Sequence, residues 1–325
     1  MENPEFDSRQ WVDRGDGHRL WYATGGPATA PAVLVIHGGP GGRSRAAPLQ
    51  WLGGRALRWL CWDQRGCGRS EAADPLQHNT LAHTLADIDA LLDHCGVASV
   101  ALLAGSWGAV VALEYLRTRP QRVNGLLLRS AFLGSDAEVN AFFAPWAGWA
   151  GAAVPAPLSQ PGTVACNDGT GKIPAALAQA WRDFEALQSR AGGIAPNDRY
   201  NAASAPADEA ARRSFAVQLH YLRRHCFLPP QARERWQRAL PALRPGPIAI
   251  VHGDADATCP AANSAWLASL WPQAEWCCVE GAGHAMGSEP MQQALRAVTG
   301  RWADQLLAQA LSPDASAACG RWCCG

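Results

Sequence analysis

The chain predicts a mostly parallel α/β sheet flanked by helices and interrupted by an inserted, mostly helical cap. Three observations carry this reading: strand and helix patterns alternate from Val33 onward, the alternation fails between about Ala131 and Pro245, and it resumes at Pro247. A strand, helix, strand rhythm is the signature of parallel strands whose crossovers cover both faces of a sheet. The expected organisation is a first core part over 1–130, a cap over 131–245, a second core part over 246–311 and a disordered tail over 312–325.

Each element has its own signal. Residues 33–36 are a short β-branched apolar run that ends at His37 and a glycine cluster, and residues 58–62 are a second such run followed by the polar, Gly-rich stretch 63–70. Thr80 can cap a helix whose apolar positions Leu81, Leu85, Ile88 and Leu92 recur at helical spacing, with Gly96 as its stop. Residues 100–103 predict a strand, 107–117 a helix closed before Pro120, and 123–128 another strand. Inside the cap, the proline and glycine clusters at 155–171 and 192–206 flank helical segments at 175–189 and 209–224. The core resumes with a strand at 247–252, a helix around 263–271, a strand at 275–279 and a final helix from 291 to about 310.

Composition narrows the function. Of the 325 residues 48% are hydrophobic and 17% charged, enough apolar material for a deep core and too little charge for a disordered chain. Lys plus Arg and Asp plus Glu are 28 each, so no net field favours nucleic acid or an anionic membrane; a small neutral or zwitterionic ligand fits better. Lys172 is the one lysine, and with the cations almost all Arg, no single Arg stands out. Residues 1–10 lack the basic and apolar segments of a signal peptide, and no apolar run approaches the roughly 18 to 20 residues that span a bilayer. The expectation is a cytoplasmic protein whose eleven cysteines are mostly small reduced core residues. Cys319, Cys323 and Cys324 in the tail fall short of the four ligands usual for structural zinc, so no metal site is expected.

The chemistry centres on Ala104-Gly105-Ser106-Trp107-Gly108, placed between a predicted strand and a predicted helix. A serine on such a sharp turn projects its hydroxyl from the sheet, while small neighbours let the backbones pass closely; Ala104 stands where the motif has its first glycine. Asp256 follows the strand ending at His252, and His284 follows the strand 275–279. Ser, Asp and His in that order, each in a loop after a strand, is the order of the α/β-hydrolase fold. The imidazole would take the serine proton and the carboxylate would fix the imidazole tautomer. Asp254 competes with Asp256 for the acid role, and Asp256 is the choice. His37-Gly38-Gly39-Pro40-Gly41-Gly42 supplies a loop able to aim the Gly39 N–H at a developing oxyanion, with the Trp107 N–H as second donor.

The stretches HGGPGG at His37, DQRGCGRS at Asp63, GSWG at Gly105, HGDADATCP at His252 and EGAGH at Glu280 together resemble the prolyl iminopeptidases, serine aminopeptidases of the α/β-hydrolase fold. The similarity runs from about His18 to Trp302 and becomes patchy in the cap. It implies removal of an N-terminal proline or similar small residue from peptides, without a metal or other cofactor. It further implies that cap carboxylates bind the substrate's free amine. Trp181-Arg182-Asp183-Phe184-Glu185 is similar to the family's W-x-x-W-E, making Glu185 the retained carboxylate. Gln218-Leu219-His220-Tyr221-Leu222 matches E-N-H-Y-F, so Gln218 stands where the family has its second acid and can offer an ammonium only a neutral acceptor. Phe132, Thr258 and Cys259 fall where the family shapes its apolar proline pocket.

Two other functions fit parts of the sequence: an esterase, amidase or acyl-transferring hydrolase with an altered cap, and a binding protein on a hydrolase scaffold. The expected partner is a small peptide or a small amide or ester substrate. The complete Ser, Asp, His set argues against the binding protein, and a serine at the nucleophile position excludes haloalkane dehalogenase and epoxide hydrolase chemistry, which need a carboxylate there.

Overall fold

The structure, a computed structural model, describes residue 6 and residues 10–151, 173–201 and 207–312. The tail from 313 onward, with Cys319, Cys323 and Cys324, lies outside the described residues, as do Lys172 and the 155–171 cluster. Nine strands form one sheet among the described residues: β1 (Gln10–Asp13), β2 (His18–Gly25), β3 (Ala32–Ile36), β4 (Arg58–Trp62), β5 (Glu71–Ala72), β6 (Val100–Gly105), β7 (Val123–Arg129), β8 (Ile248–Gly253) and β9 (Glu275–Val279). Their order is β1-β2-β4-β3-β6-β7-β8-β9, with β5 beside β2. From β4 to β9 all neighbours are parallel. The antiparallel β1, β2 and β5 extend one edge, a region for which the sequence predicted no strand.

Every residue of β3 and β8 is buried, as expected of central parallel strands covered on both faces. Their side chains alternate between two cores. Leu34, Ile36, Leu102, Leu126 and Ile250 enter one, covered by α2 (Leu81–His94), α3 (Trp107–Thr118) and α9 (Ala261–Leu270). Val33, Val35, Leu103, Leu127 and Val251 enter the other, covered by α1 (Ala47–Trp51) and α10 (Glu289–Ala310). The Thr80 hydroxyl accepts from His83 N to cap α2, and Gly96 at φ +63° follows its end. Asp87 on α2 anchors the DQRG stretch: both its oxygens bond the 1% exposed Arg65 side chain, and Arg14 adds a third contact.

Between β7 and β8 the described chain forms α4 (Asp136–Phe143), α5 (Trp146–Ala150), α6 (Ala175–Gln188), α7 (Glu209–Leu222) and α8 (Ala232–Ala239). Ser135 and Glu138 close a capping box at the start of α4. Helices α5, α6 and α7 hold together around an aromatic cluster of their own, with Trp181 and Phe215 ring centroids 4.3 Å apart and Trp146 and Phe184 4.9 Å apart. Helix α8 instead returns to the sheet: Trp236 is fully buried in the first core and its indole N–H donates to Glu114 Oε1 at 2.7 Å. Helix α7 spans both regions, because Phe215 and Leu219 face the aromatic cluster while Val217 and Tyr221 enter the first core.

Candidate active site

Strand β6 ends at Gly105 and α3 begins at Trp107, leaving Ser106 on the turn at φ 55° and ψ −126°. A residue with a Cβ seldom adopts this conformation, and it is that of a nucleophile elbow. The turn is this sharp because α3 starts against β3: a Cβ at Gly108 would stand 2.6 Å from Ile36 O. Ala104, in place of the usual glycine, fits because its methyl enters the first core.

The loops after β8 and β9 bring Asp256 and His284 together. His284 Nδ1 donates to Asp256 Oδ2 at 2.8 Å, leaving Nε2 for the cavity that Ser106 also lines. Asp256 Oδ1 accepts from the N–H groups of Thr258 and Cys259, each at 2.9 Å. Burial works to raise the Asp256 carboxyl, but hydrogen bonds from His252 and His284, the His284 charge and the Cys259 N–H together hold it well below the usual carboxylate range. Burial lowers the His284 imidazole against the opposing pull of Asp256, so a neutral base is available near neutral pH. Asp254 points elsewhere, accepting from Gly281 N at 2.7 Å on the exposed side of the loop.

Behind Asp256 stands a second histidine that the sequence did not single out. His252 is fully buried, with Nε2 3.0 Å from Cys259 O and 3.2 Å from Asp256 Oδ2. Both neighbours are acceptors, so Nε2 carries the proton and Nδ1 accepts from the Ser264 hydroxyl at 2.6 Å.

The glycine loop runs against the elbow: a Cβ on Gly38 would be 3.3 Å from Gly105 O and from Ser106 Cβ. Gly39, at φ +130° and followed by a cis peptide to Pro40, lines the cavity beside Ser106. The DQRG stretch holds the loop. Gln64 N donates to His37 Nε2 at 3.0 Å, Gln64 Nε2 donates to His37 O at 2.9 Å, and Gln64 Oε1 accepts from the Trp107 indole at 3.0 Å. The Trp107 side chain is thus turned into the core, and what it offers the site is its backbone at the first position of α3.

The cavity encloses about 460 Å³. Ser106, His284, Gly39, Phe132, Glu185, Gln218, Thr258 and Cys259 all line it, while Asp256 and Trp107 stand one layer behind. Phe142 and Phe143 of α4 complete an aromatic wall that the sequence did not reveal. The Cys259 thiol is within hydrogen-bonding reach of Ser106 and is raised well above the ordinary thiol value by burial. It is therefore a packing group rather than a competing thiolate.

Gln218 needs a correction. It does not present its amide oxygen to the cavity as a neutral acceptor for an amine. Oε1 accepts from the Trp181 indole at 2.9 Å, and Nε2 donates to Glu185 Oε1 at 2.6 Å. Burial raises the Glu185 carboxyl, while the Gln218 and Trp181 donors act to lower it. Gln218 thus supports the ionised form of Glu185 instead of adding a separate contact. Among the described residues no group of three or more His, Cys, Asp or Glu side chains could hold a metal ion, and no helix is long and apolar enough to cross a membrane.

A parallel sheet, an elbow serine and an Asp–His pair on the loops after β8 and β9 define an α/β hydrolase, and the family model for the alpha/beta hydrolase fold matches residues 31–289. A proline iminopeptidase of Neisseria gonorrhoeae is 30% identical over 299 residues, covering 85% of this chain and 89% of that protein. A putative proline iminopeptidase of Mycoplasma pneumoniae is 29% identical over 297 residues, covering 85% of this chain and 91% of its own length. A solved proline iminopeptidase-related protein of Thermus thermophilus superposes with a TM-score of 0.59 at 24% identity, over 92% of this chain and 98% of that one. The chain belongs to the proline iminopeptidase family of α/β hydrolases and is a hydrolase of the prolyl aminopeptidase-like kind.

Proposed function

We propose that the protein releases an N-terminal proline, or a similarly small residue, from short peptides through an acyl-enzyme on Ser106. The observation that carries this reading is the placement of Glu185, a carboxylate on the cap side of the cavity that also holds Ser106 and His284. A half-buried carboxylate in an otherwise aromatic wall is suited to a substrate ammonium, and Phe132, Phe142 and Phe143 are suited to a pyrrolidine ring.

In this reaction His284 Nε2 takes the Ser106 proton as the oxygen attacks the carbonyl carbon, while Asp256 stabilises the imidazolium. The N–H groups of Gly39 and Trp107 receive the oxyanion. The C–N bond then breaks and the leaving amine takes the proton from His284. Water, deprotonated by the same imidazole, hydrolyses the ester and returns Ser106 and a free amino acid.

The test compares kcat/KM for a prolyl arylamide, its N-acylated form and a simple aryl ester. The aminopeptidase reading expects the free amine to exceed the N-acylated amide, with Ser106→Ala abolishing turnover of all three. Preference for the N-acylated amide or the ester would instead favour the acyl-hydrolase alternative.

A further inference from the structure

The cavity extends past Ser106 into the second core, and the reaction as described gives this lobe no task. Its floor is Val35 and Leu103, paired in the β3–β6 register, and Trp51 and Met286 stand beside them. Three arginines line the same space: Arg129 at the end of β7, 7% exposed, and the exposed Arg43 and Arg45 on the stretch after the glycine loop. Arg129 is registered opposite Gly105, with Nε and Nη2 both 3.1 Å from the point where a Cβ on that glycine would stand. Its Nη1 donates to His284 O at 2.6 Å.

None of the three has a carboxylate at ion-pair distance among the described residues. A buried cation without a carboxylate is costly unless something else compensates it, and burial does lower the Arg129 guanidinium, with the charge of Asp256 opposing. Among the described residues lining the cavity, Glu185 is the one carboxylate, and it belongs to the cap. The cavity is therefore bipolar: acid among the cap aromatics, cations beside an apolar floor, and the elbow serine common to both.

We infer that this lobe is a leaving-group subsite for an apolar residue ending in a free carboxylate, so that short zwitterionic peptides, dipeptides above all, are the preferred substrates. The inference rests on the aminopeptidase reading for which end of the peptide lies on which side of Ser106. The apolar side chain covers Val35, Leu103 and Trp51, the carboxylate meets Arg43 and Arg45, and Arg129 supplies a fixed positive field behind them.

The test measures kcat/KM for prolyl-leucine and for its C-terminal amide on the wild type and on Arg43→Gln/Arg45→Gln. The wild type is expected to prefer the acid by about threefold to tenfold, the size of a charge-assisted hydrogen bond partly screened by water. That ratio should fall toward one in the double variant and at high salt. Equal rates on acid and amide in the wild type, or a ratio that the double variant retains, would overturn the subsite. A prolyl arylamide assayed on the wild type reports separately on the aminopeptidase reading. If that substrate is inert, calorimetric titration of the wild type with 4-methylpentanoate and with 4-methylpentanamide reads the lobe without chemistry. Tighter binding of the acid is expected, and equal binding of the two overturns the proposal.

Discussion

Replacing Gln218 by Glu restores a second carboxylate to the cap, and the hydrogen bonds around it set the consequence. In the wild type Gln218 Nε2 donates to Glu185 Oε1 at 2.6 Å while its Oε1 accepts from Trp181. Gln218→Glu keeps the acceptor for Trp181 but turns the donor into an acceptor facing Glu185. Two unit charges about 4 Å apart interact by roughly 4 kcal/mol at an effective dielectric constant near 20, so the free variant keeps one shared proton well above the ordinary carboxylate range. A substrate ammonium between the two carboxylates reverses the sign of that interaction. After the lost amide bond and solvent screening are subtracted, about 1 to 3 kcal/mol remains for the free amine, or roughly fivefold to 150-fold in KM for a prolyl arylamide. The gain should grow from pH 6 to pH 8 as the shared proton leaves. The ligand-free variant should show the converse. Its raised folded-state pKa gives a contribution to stability that is present at low pH and lost as pH rises through that pKa, so its melting temperature should drop relative to wild type toward pH 8. Steady-state kinetics on the arylamide, its N-acylated form and an aryl ester, with melting curves across the same pH range, measure both effects. An unchanged arylamide KM, or an equal gain on the ester, would refute the reasoning.

The site and the core give three further expected outcomes. Asp256→Asn should lower turnover by roughly 10⁴ through the wrong imidazole tautomer, whereas Asp254→Asn, which loosens only the bond to Gly281 N, should have a much smaller effect; the reverse ranking in kcat would reassign the acid. The acid limb of kcat/KM for an aryl ester should lie below the ordinary histidine value because burial lowers His284, and the free amine should show an additional loss at low pH as the raised Glu185 carboxyl takes up its proton; superimposable limbs would remove Glu185 from amine binding. Asp87→Ala leaves the buried Arg65 without its bidentate carboxylate and should cost about 3 to 5 kcal/mol in chemical denaturation, a loss that a wild-type midpoint would contradict.

Much of the core was legible because its central strands are short, uniformly apolar runs punctuated by glycine. Residues 33–36, 58–62 and 123–128 fall inside β3, β4 and β7 with at most one residue added at either end. The antiparallel edge was not legible, since β2 mixes His18 and Arg19 with aromatic residues and gives no clean alternation. A signal did exist in Gly15 and Gly17, both at positive φ between β1 and β2, where a hairpin turn needs them. Ser106, Asp256 and His284 could be picked out as candidates because an elbow, a chain order and a loop position converge on them. Arg129 and His252 could not, because a polar residue at the end of a buried strand looks the same whether it supports a site or merely ends the strand. Gln218 shows a different limit: the residue type fixes what it can donate and accept, but which neighbour receives each bond depends on Trp181 and Glu185, a helix away.

The two cap helices that flank the cavity are fastened to the chemistry from opposite sides. Past the end of α6, Gly192 N bonds Ala255 O, and Ser189 O accepts from Ala285 N, next to the Asp256 and His284 loops. Helix α7 is fixed to the glycine loop, where the Ser214 hydroxyl donates to Gly41 O at 2.6 Å and a Cβ on Gly41 would collide with Ser214 O. It is also fixed to the base of α2 through the Tyr221 hydroxyl and Asn79 Oδ1 at 2.8 Å. Glu185 and Gln218 therefore sit on a caliper whose jaws are set by the same loops that hold the reacting groups. In the proposed reaction, the span from a substrate ammonium at Glu185 to a carbonyl at Ser106 would then be a property of the backbone. Under the proposed aminopeptidase reaction such a caliper would count residues, admitting one ahead of the scissile bond.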